Sequence, residues 1–321
     1  EHGFSQPLRE GAARWMSRWL LGQDRVIVEP EFQIFTDAEA LCTPKGQVML
    51  MENAVSVLDL NAQRAAELKA KRDTFRTQND DNTFREKVQA LIGHQEGAGI
   101  PEVVELASFG TDGTKYETFL IKPEPGIVLP AILATPGNFN GIYTLVLHES
   151  GKSVAFEAGG IAGELLVKGD AVLAVDLRGM GETHGAQNPA SWRDYIGSDW
   201  QDFFAAYLLG RSFVGMRVND ICSVVSWLKA RAGDGNVLHL IATGGATVPA
   251  LHAAALHSGL FQHIVLQSGI PSWDEVVKTP RAKNQLINAV HNALSWYDLP
   301  DLVALIPKDT IEIQNACVPV F

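Results

Sequence analysis

The 321-residue chain lacks several features that would place it quickly. No run of 18 apolar residues occurs, so no transmembrane helix is expected. Its three cysteines, Cys42, Cys222 and Cys317, stand far apart without a C-x-x-C spacing. No Asp/Glu/His group has metal-ligand spacing either, so no metal is expected, and buried thiols are favoured over a disulfide. A basic excess is missing: the net charge is −11, which argues against nucleic acid and an anionic membrane surface as partners. The G-x-x-x-x-G-K-S/T phosphate loop is absent, and no cofactor is implied. Internal repeats and low-complexity tracts are absent as well.

What is present is a globular composition, 46% hydrophobic, enough for a large core. Residues 5–21 carry a helix pattern, with Leu8, Ala12, Trp15, Met16, Trp19 and Leu20 on one face, Ser5 as N-cap and Gly22 as stop. Residues 23–58 read as an ordered connector, because Val26, Ile27, Val28, Phe32, Ile34 and Phe35 are too apolar to stay solvated. Two helices follow, over 61–76 and from a capping-box pattern at Thr83-Phe84-Arg85-Glu86 to Gly93. From Pro101 the character changes to strands. Val103–Phe109 and Tyr116–Lys122 flank a Thr111-Asp112-Gly113 turn. Further strands are predicted at 129–134, 142–147, 171–175, 237–242, 263–266 and 311–313, the later ones separated by helices. The longest of these helices spans 212–231. This pattern predicts an α/β fold: a mostly parallel sheet covered by helices on both faces, with an antiparallel hairpin at its start and an N-terminal helical extension.

Two segments carry the chemistry. Val237–Ala242 reads as a buried strand, Thr243–Thr247 as a tight small-residue turn and Val248–Leu256 as an Ala-rich helix. A strand, a sharp turn and a helix with a small-residue face are the layout of a nucleophile elbow, normally G-x-S-x-G. The aligned residues are Ala242, Thr243, Gly244, Gly245 and Ala246, so Gly244 stands where the serine belongs. Thr243 is one residue early, and its side chain is expected to point elsewhere. The second segment is Asp176-Leu177-Arg178-Gly179-Met180-Gly181, directly after the 171–175 strand.

With Leu147-His148-Glu149-Ser150-Gly151-Lys152, Arg217-Val218-Asn219-Asp220 and Trp296-Tyr297-Asp298-Leu299-Pro300-Asp301-Leu302, these segments occur in the order found in α/β-hydrolases. Over roughly residues 100–315 the chain resembles the bacterial acetyl-xylan-esterase and dienelactone-hydrolase-like members, in which two such domains can occur in tandem. The resemblance implies a triad of serine, acid and histidine in that order, with an oxyanion held by backbone N–H groups after the elbow and after the 142–147 strand. It also implies an acylated carbohydrate or other small-molecule substrate and a secreted or periplasmic location.

The departures from that pattern shape the functional expectation. Gly244 has no hydroxyl, and the last histidine, His291, precedes the last predicted strand. The domain over 100–321 is therefore expected to be catalytically degenerate and C-terminally incomplete, with a supporting or ligand-binding role. The opening Glu1-His2-Gly3-Phe4 carries no signal-peptide pattern and reads as the start of a mature form or fragment. In the resemblance, residues 1–22 look like the tail of a preceding hydrolase domain, with His2 its catalytic histidine, and 23–99 a connector with a helical hairpin. That upstream domain is the expected partner. His148, Glu149, Ser150, Gly245 and Arg178 are the oxyanion or pocket candidates, with loop bracing as their alternative role. His252 and His257 read as packing residues. His184, Trp192 and Tyr195 lie in an insertion able to roof a pocket. Two other functions stay open: an esterase with a displaced nucleophile such as Ser150 or Ser268, and a purely structural module.

Overall fold

The computed structural model describes residues 3–95, 99–185, 199–233 and 235–320. Its contacts divide the chain into two units, Glu1–Ser56 and Val57–Phe321.

In the first unit, α1 (Gln6–Leu21) ends at Gly22 in a left-handed conformation. Ser5 stands at the N-cap as predicted, but its side chain makes no cap bond. Glu10 accepts from the backbone N–H of Glu29 at 2.8 Å, and the Glu29 carboxylate pairs with Arg9. A one-turn helix, α2 (Asp37–Ala40), is closed by a Thr36–Glu39 capping box. The apolar residues after α1 depart from expectation. Val26, Val28, Phe32, Ile34 and Phe35 are exposed, Ile27 is half-buried, and Trp15 and Trp19 are exposed with ring centroids 5.6 Å apart. One long helix, a single-turn helix and extended chain make a single layer, and a core needs two.

The second unit opens with α3 (Val57–Gln78) and α4 (Asp81–Ile92). The cap of α4 is Asp80, whose carboxylate accepts from the Thr83 N–H at 2.8 Å. The Thr83–Glu86 capping box predicted from the sequence therefore falls inside the helix. Phe84, Val88 and Ile92, at helical spacing, are buried in the main core.

The sheet follows. Its strands are β1 (Glu102–Thr111), β2 (Thr114–Lys122), β3 (Leu129–Pro136), β4 (Ile142–His148), β5 (Ala171–Val175), β6 (Val237–Thr243), β7 (His263–Gln267) and β8 (Ile311–Gln314). Their spatial order is β1-β2-β3-β5-β4-β6-β7-β8. The first three pair antiparallel, as do β3 and β5, and the remaining pairs are parallel. Helices α5 (Ile161–Lys168), α6 (Trp200–Leu208), α7 (Phe213–Ala232), α8 (Thr247–Leu256), α9 (Trp273–Lys278) and α10 (Leu299–Val303) complete the described α-helices. None of the described helices is long and apolar enough to cross a membrane.

Alternation along the central strands separates two cores. Leu145, Leu147, Leu173 and Val175 face the larger cluster, with residues of α4, α7 and α8. Val146, Val172 and Ala174 face the smaller one, with Ala162 and Leu165 of α5. Burial on both faces explains why these strands read as unbroken apolar runs. Parallel pairing also brings the C-terminal ends of β4 and β6 together, with His148 opposite Thr243. Functional residues collect at that end of such a sheet.

The packing of α4 on α7 depends on Gly215. A Cβ there would lie 1.8 Å from the carbonyl oxygen of Ile92. Gly215→Ala should therefore lower stability by about 1–3 kcal/mol through overpacking, although alanine is the better helix former. Gly163→Ala in α5 meets open space and should raise stability by up to ~1 kcal/mol. Urea unfolding midpoints at unchanged m-value compare the two.

Candidate functional site

β6 runs into a single tight turn, Gly244–Ala246, which opens directly into α8. Gly244 has φ +63°, the left-handed region that side chains disfavour and that an elbow apex adopts. A strand, a tight turn and a helix, the layout of an elbow with Gly244 at its apex, are thus present.

The space above the apex is filled from the loop after the neighbouring strand, β4. A Cβ on Gly244 would lie 2.2 Å from Cδ of Glu149 and 2.4 and 2.5 Å from its two carboxylate oxygens. Oε2 of Glu149 accepts from the backbone N–H of Gly245 at 2.8 Å. The residue after the apex supplies an oxyanion-hole donor in this type of site, and here it holds a carboxylate of the same chain. The neighbouring donors are engaged as well. The N–H of Glu149 reaches the Thr243 carbonyl at 3.3 Å, and the N–H of Ser150 donates to Nδ1 of His148 at 3.0 Å.

A polar cleft of about 440 Å³ opens beside this contact, within the range of ligand pockets. Glu149, Ser150 and Gly245 line it with Met180, His184, Asp199, Arg217 and Asn288. The expected loops after β4 and β5 contribute its wall, and the 283–288 segment closes the other side. Two buried acceptors in the wall, Oδ1 of Asp199 and Oδ1 of Asn288, have no hydrogen-bond partner among the described residues. Asp199 binds the Ile287 N–H at 2.8 Å through its other oxygen, and burial pushes its carboxyl above the usual range.

The Asp176–Gly181 segment is a brace. Asp176, fully buried, accepts from Nζ of Lys152 at 2.9 Å and from the Glu182 N–H at 3.0 Å, which ties the loop after β4 to the loop after β5. Arg178 points away from the cleft, its Nε donating to Asp220 at 2.8 Å and its Nη1 pairing with Glu124. Arg217 donates to the Arg178 carbonyl at 3.0 Å and holds the turn. Burial lowers its pKa to about 10, so it stays charged at neutral pH.

The residues named from the sequence thus divide. Glu149, Ser150, Gly244 and Gly245 come together, His148 orients the loop beside them, and Arg178 serves as a brace. His184 lines the cleft, exposed, its ring on the Gly185 carbonyl. Thr243 turns its hydroxyl to Gln267 on β7 at 3.4 Å. Ser268 is exposed at the end of β7, in a left-handed conformation. His2, Trp192 and Tyr195 lie outside the described residues. Asp199 and Asn288 were not singled out from the sequence, since they belong to no motif and only the fold joins them.

A buried pair joins α8 to Tyr297, outside the lining of the cleft. His252 donates from Nδ1 to the Val248 carbonyl at 2.7 Å, and its Nε2 accepts from the Tyr297 hydroxyl at 3.0 Å. Burial pushes the His252 pKa down to about 4, so the folded ring is neutral. An unfolded histidine titrates near 6.5, so the unfolded chain takes up the proton first as pH falls. Stability from this group is complete above about pH 6.5 and declines towards pH 4, by about 2–3 kcal/mol at pH 4.5. In His252→Gln the loss between pH 7.5 and 4.5, measured by urea unfolding, should shrink by that amount. A second test addresses the apex. Gly244→Ala should cost about 1–3 kcal/mol, and Glu149→Ala should return part of that cost, so a double-mutant cycle reads a coupling of at least ~0.5 kcal/mol.

No protein-family model matches the chain. No curated protein matches it either. Solved structures do. An acetyl xylan esterase candidate from Bacteroides fragilis aligns with TM-score 0.62 and 16% identity over 82% of this chain and 76% of its own. The acetyl xylan esterase of Paenibacillus sp. R4 aligns at TM-score 0.45 and 16% identity, over 71% of this chain and 76% of its own. Acetyl Xylan Esterase 1 from Thermoanaerobacterium sp. aligns at TM-score 0.45 and 13% identity, over 76% and 88%. With the strand order, the elbow turn and the first of these alignments in hand, the chain has the α/β-hydrolase fold.

Proposed function

We propose that this chain is a catalytically silent α/β-hydrolase that binds a hydroxyl-rich ligand, an acylated sugar, in the cleft beside Glu149. The observation that carries the reading is the Glu149 carboxylate, which fills the hollow over Gly244 and takes the Gly245 N–H. Acyl transfer needs a nucleophile at that point and an oxyanion donor beside it. The first has no side chain, and the second already holds a negative charge. A substrate carbonyl would have to displace a carboxylate, an anion that competes better for an N–H than a neutral oxygen does.

The ligand class follows from the cleft wall. Glu149, Ser150, Asp202 and Asn288 line it with carboxylate, hydroxyl and amide groups, which favour a ligand bearing hydrogen-bond donors. Sugar hydroxyls supply such donors. The Bacteroides fragilis structure, described as an acetyl xylan esterase candidate, makes an acetylated xylo-oligosaccharide the first ligand to try.

Two measurements decide. Hydrolysis of an acetylated model ester should not exceed that of a heat-denatured control, and an organophosphonate probe should label no serine. Turnover that disappears in Ser150→Ala or Ser268→Ala would sink the silent reading and restore a displaced nucleophile. In calorimetric titration an acetylated xylo-oligosaccharide should bind, and Asn288→Leu should weaken it by about 1–3 kcal/mol. Equal affinity in that variant would remove the cleft as the binding place.

A further inference from the structure

At the C-terminal end of α8, opposite the end that meets the elbow turn, three side chains bring together nitrogen and sulfur donors. His94 follows Gly93, the C-cap of α4; His257 is the C-cap of α8; and Cys222 lies within α7. Their ligand atoms all fall within 4.8 Å of one another. Nε2 of His94 and Nε2 of His257 are 3.0 Å apart, and the two rings meet edge to face at 80°. All three residues are half-buried.

The orientation of His94 is set from behind. Its Nδ1 lies 2.5 Å from Oδ1 of Asn219, one turn before Cys222 on the same helix. The same oxygen accepts from the Gln95 N–H at 3.4 Å. An amide oxygen only accepts, so Nδ1 of His94 carries the proton and Nε2 presents its lone pair towards His257 and Cys222. A histidine whose far nitrogen is held by a carbonyl-type oxygen is the arrangement that fixes a metal-ligating imidazole.

We propose that His94, Cys222 and His257 form a zinc(II) site that clamps the ends of α4 and α8 to the side of α7. Zinc–nitrogen bonds of about 2.0–2.1 Å and a zinc–sulfur bond of about 2.3 Å require the two imidazole nitrogens to part by only a few tenths of an ångström. Binding displaces the Cys222 thiol proton to solvent. The proton between the two imidazoles is also displaced, as His257 moves its own to Nδ1. A water from solvent completes four-coordination. The donor set excludes magnesium and calcium, which take oxygen ligands. Imidazole with thiolate suits zinc, and cobalt(II) is a spectroscopic stand-in of the same geometry. The site is independent of the sugar-binding reading, since none of its residues lines that cleft.

The test uses the full chain, freed of metal by dialysis against chelator. Zinc should bind at one equivalent and raise the unfolding temperature. Cobalt(II) should give the intense visible bands of a tetrahedral site together with a thiolate charge-transfer band. Cys222→Ala, His94→Gln and His257→Gln should each abolish the stoichiometric site and the charge-transfer band. Asn219→Ala should lower affinity about 10–100-fold, whereas loss of the exposed Cys42 or Cys317 should change neither spectrum nor stoichiometry. The proposal falls if wild-type protein retains no zinc at micromolar free metal. It falls equally if the cobalt spectrum lacks the thiolate band, or if that band follows Cys42 or Cys317. Should the Cys222 variant not fold, the wild-type cobalt spectrum and the two surface-cysteine variants still decide.

Discussion

The site end of this molecule depends on one contact, the carboxylate of Glu149 seated over Gly244 and bonded to the Gly245 N–H. It joins the loop after β4 to the turn after β6. The two strands are already in register, so the charge is brought to the donor by the sheet itself. Gly244 permits the contact twice over. It tolerates the left-handed backbone of the turn, and it leaves the volume that the carboxylate fills. A serine in an active elbow would need both the conformation and that space.

Around this contact the loops are held by charges removed from water. Asp176 and Lys152 link the loops after β5 and β4, and Arg178 is fixed between Asp220 and Glu124. Breaking such pairs is costly, because the surviving partner is left buried and uncompensated. The D-L-R-G-M-G segment therefore behaves as scaffold. Its charges face inward to the fold, and only its Gly179 and Met180 border the cleft.

Much of the architecture was legible in the chain. Strand runs such as Val237–Ala242, the Thr111–Gly113 turn and the sharp turn at Gly244 follow from period and turn chemistry. What was not legible depends on distance in space. Glu149 reads from the sequence as one residue in a candidate loop; that its carboxylate stands in the hollow at 244 requires the β4–β6 register. Asp199 and Asn288 belong to no spacing pattern, and only the folded wall brings them together. The cap of α4 illustrates a local competition. Thr83 and Glu86 match a pattern, but Asp80 captures the Thr83 N–H first. Residues 26–35 show the converse, an apolar stretch that lacks a second layer to bury it.

The two-sided burial of β5 has a consequence for how this sequence can drift. All five residues from Ala171 to Val175 are buried, so the strand offers evolution no wet side on which to experiment. Along β1 almost every position is exposed, and substitutions there meet little resistance. Divergence should accumulate from the hairpin edge inward and stop at the middle of the sheet. A lineage could in that way rewrite most of its outline and still fold around an unchanged centre.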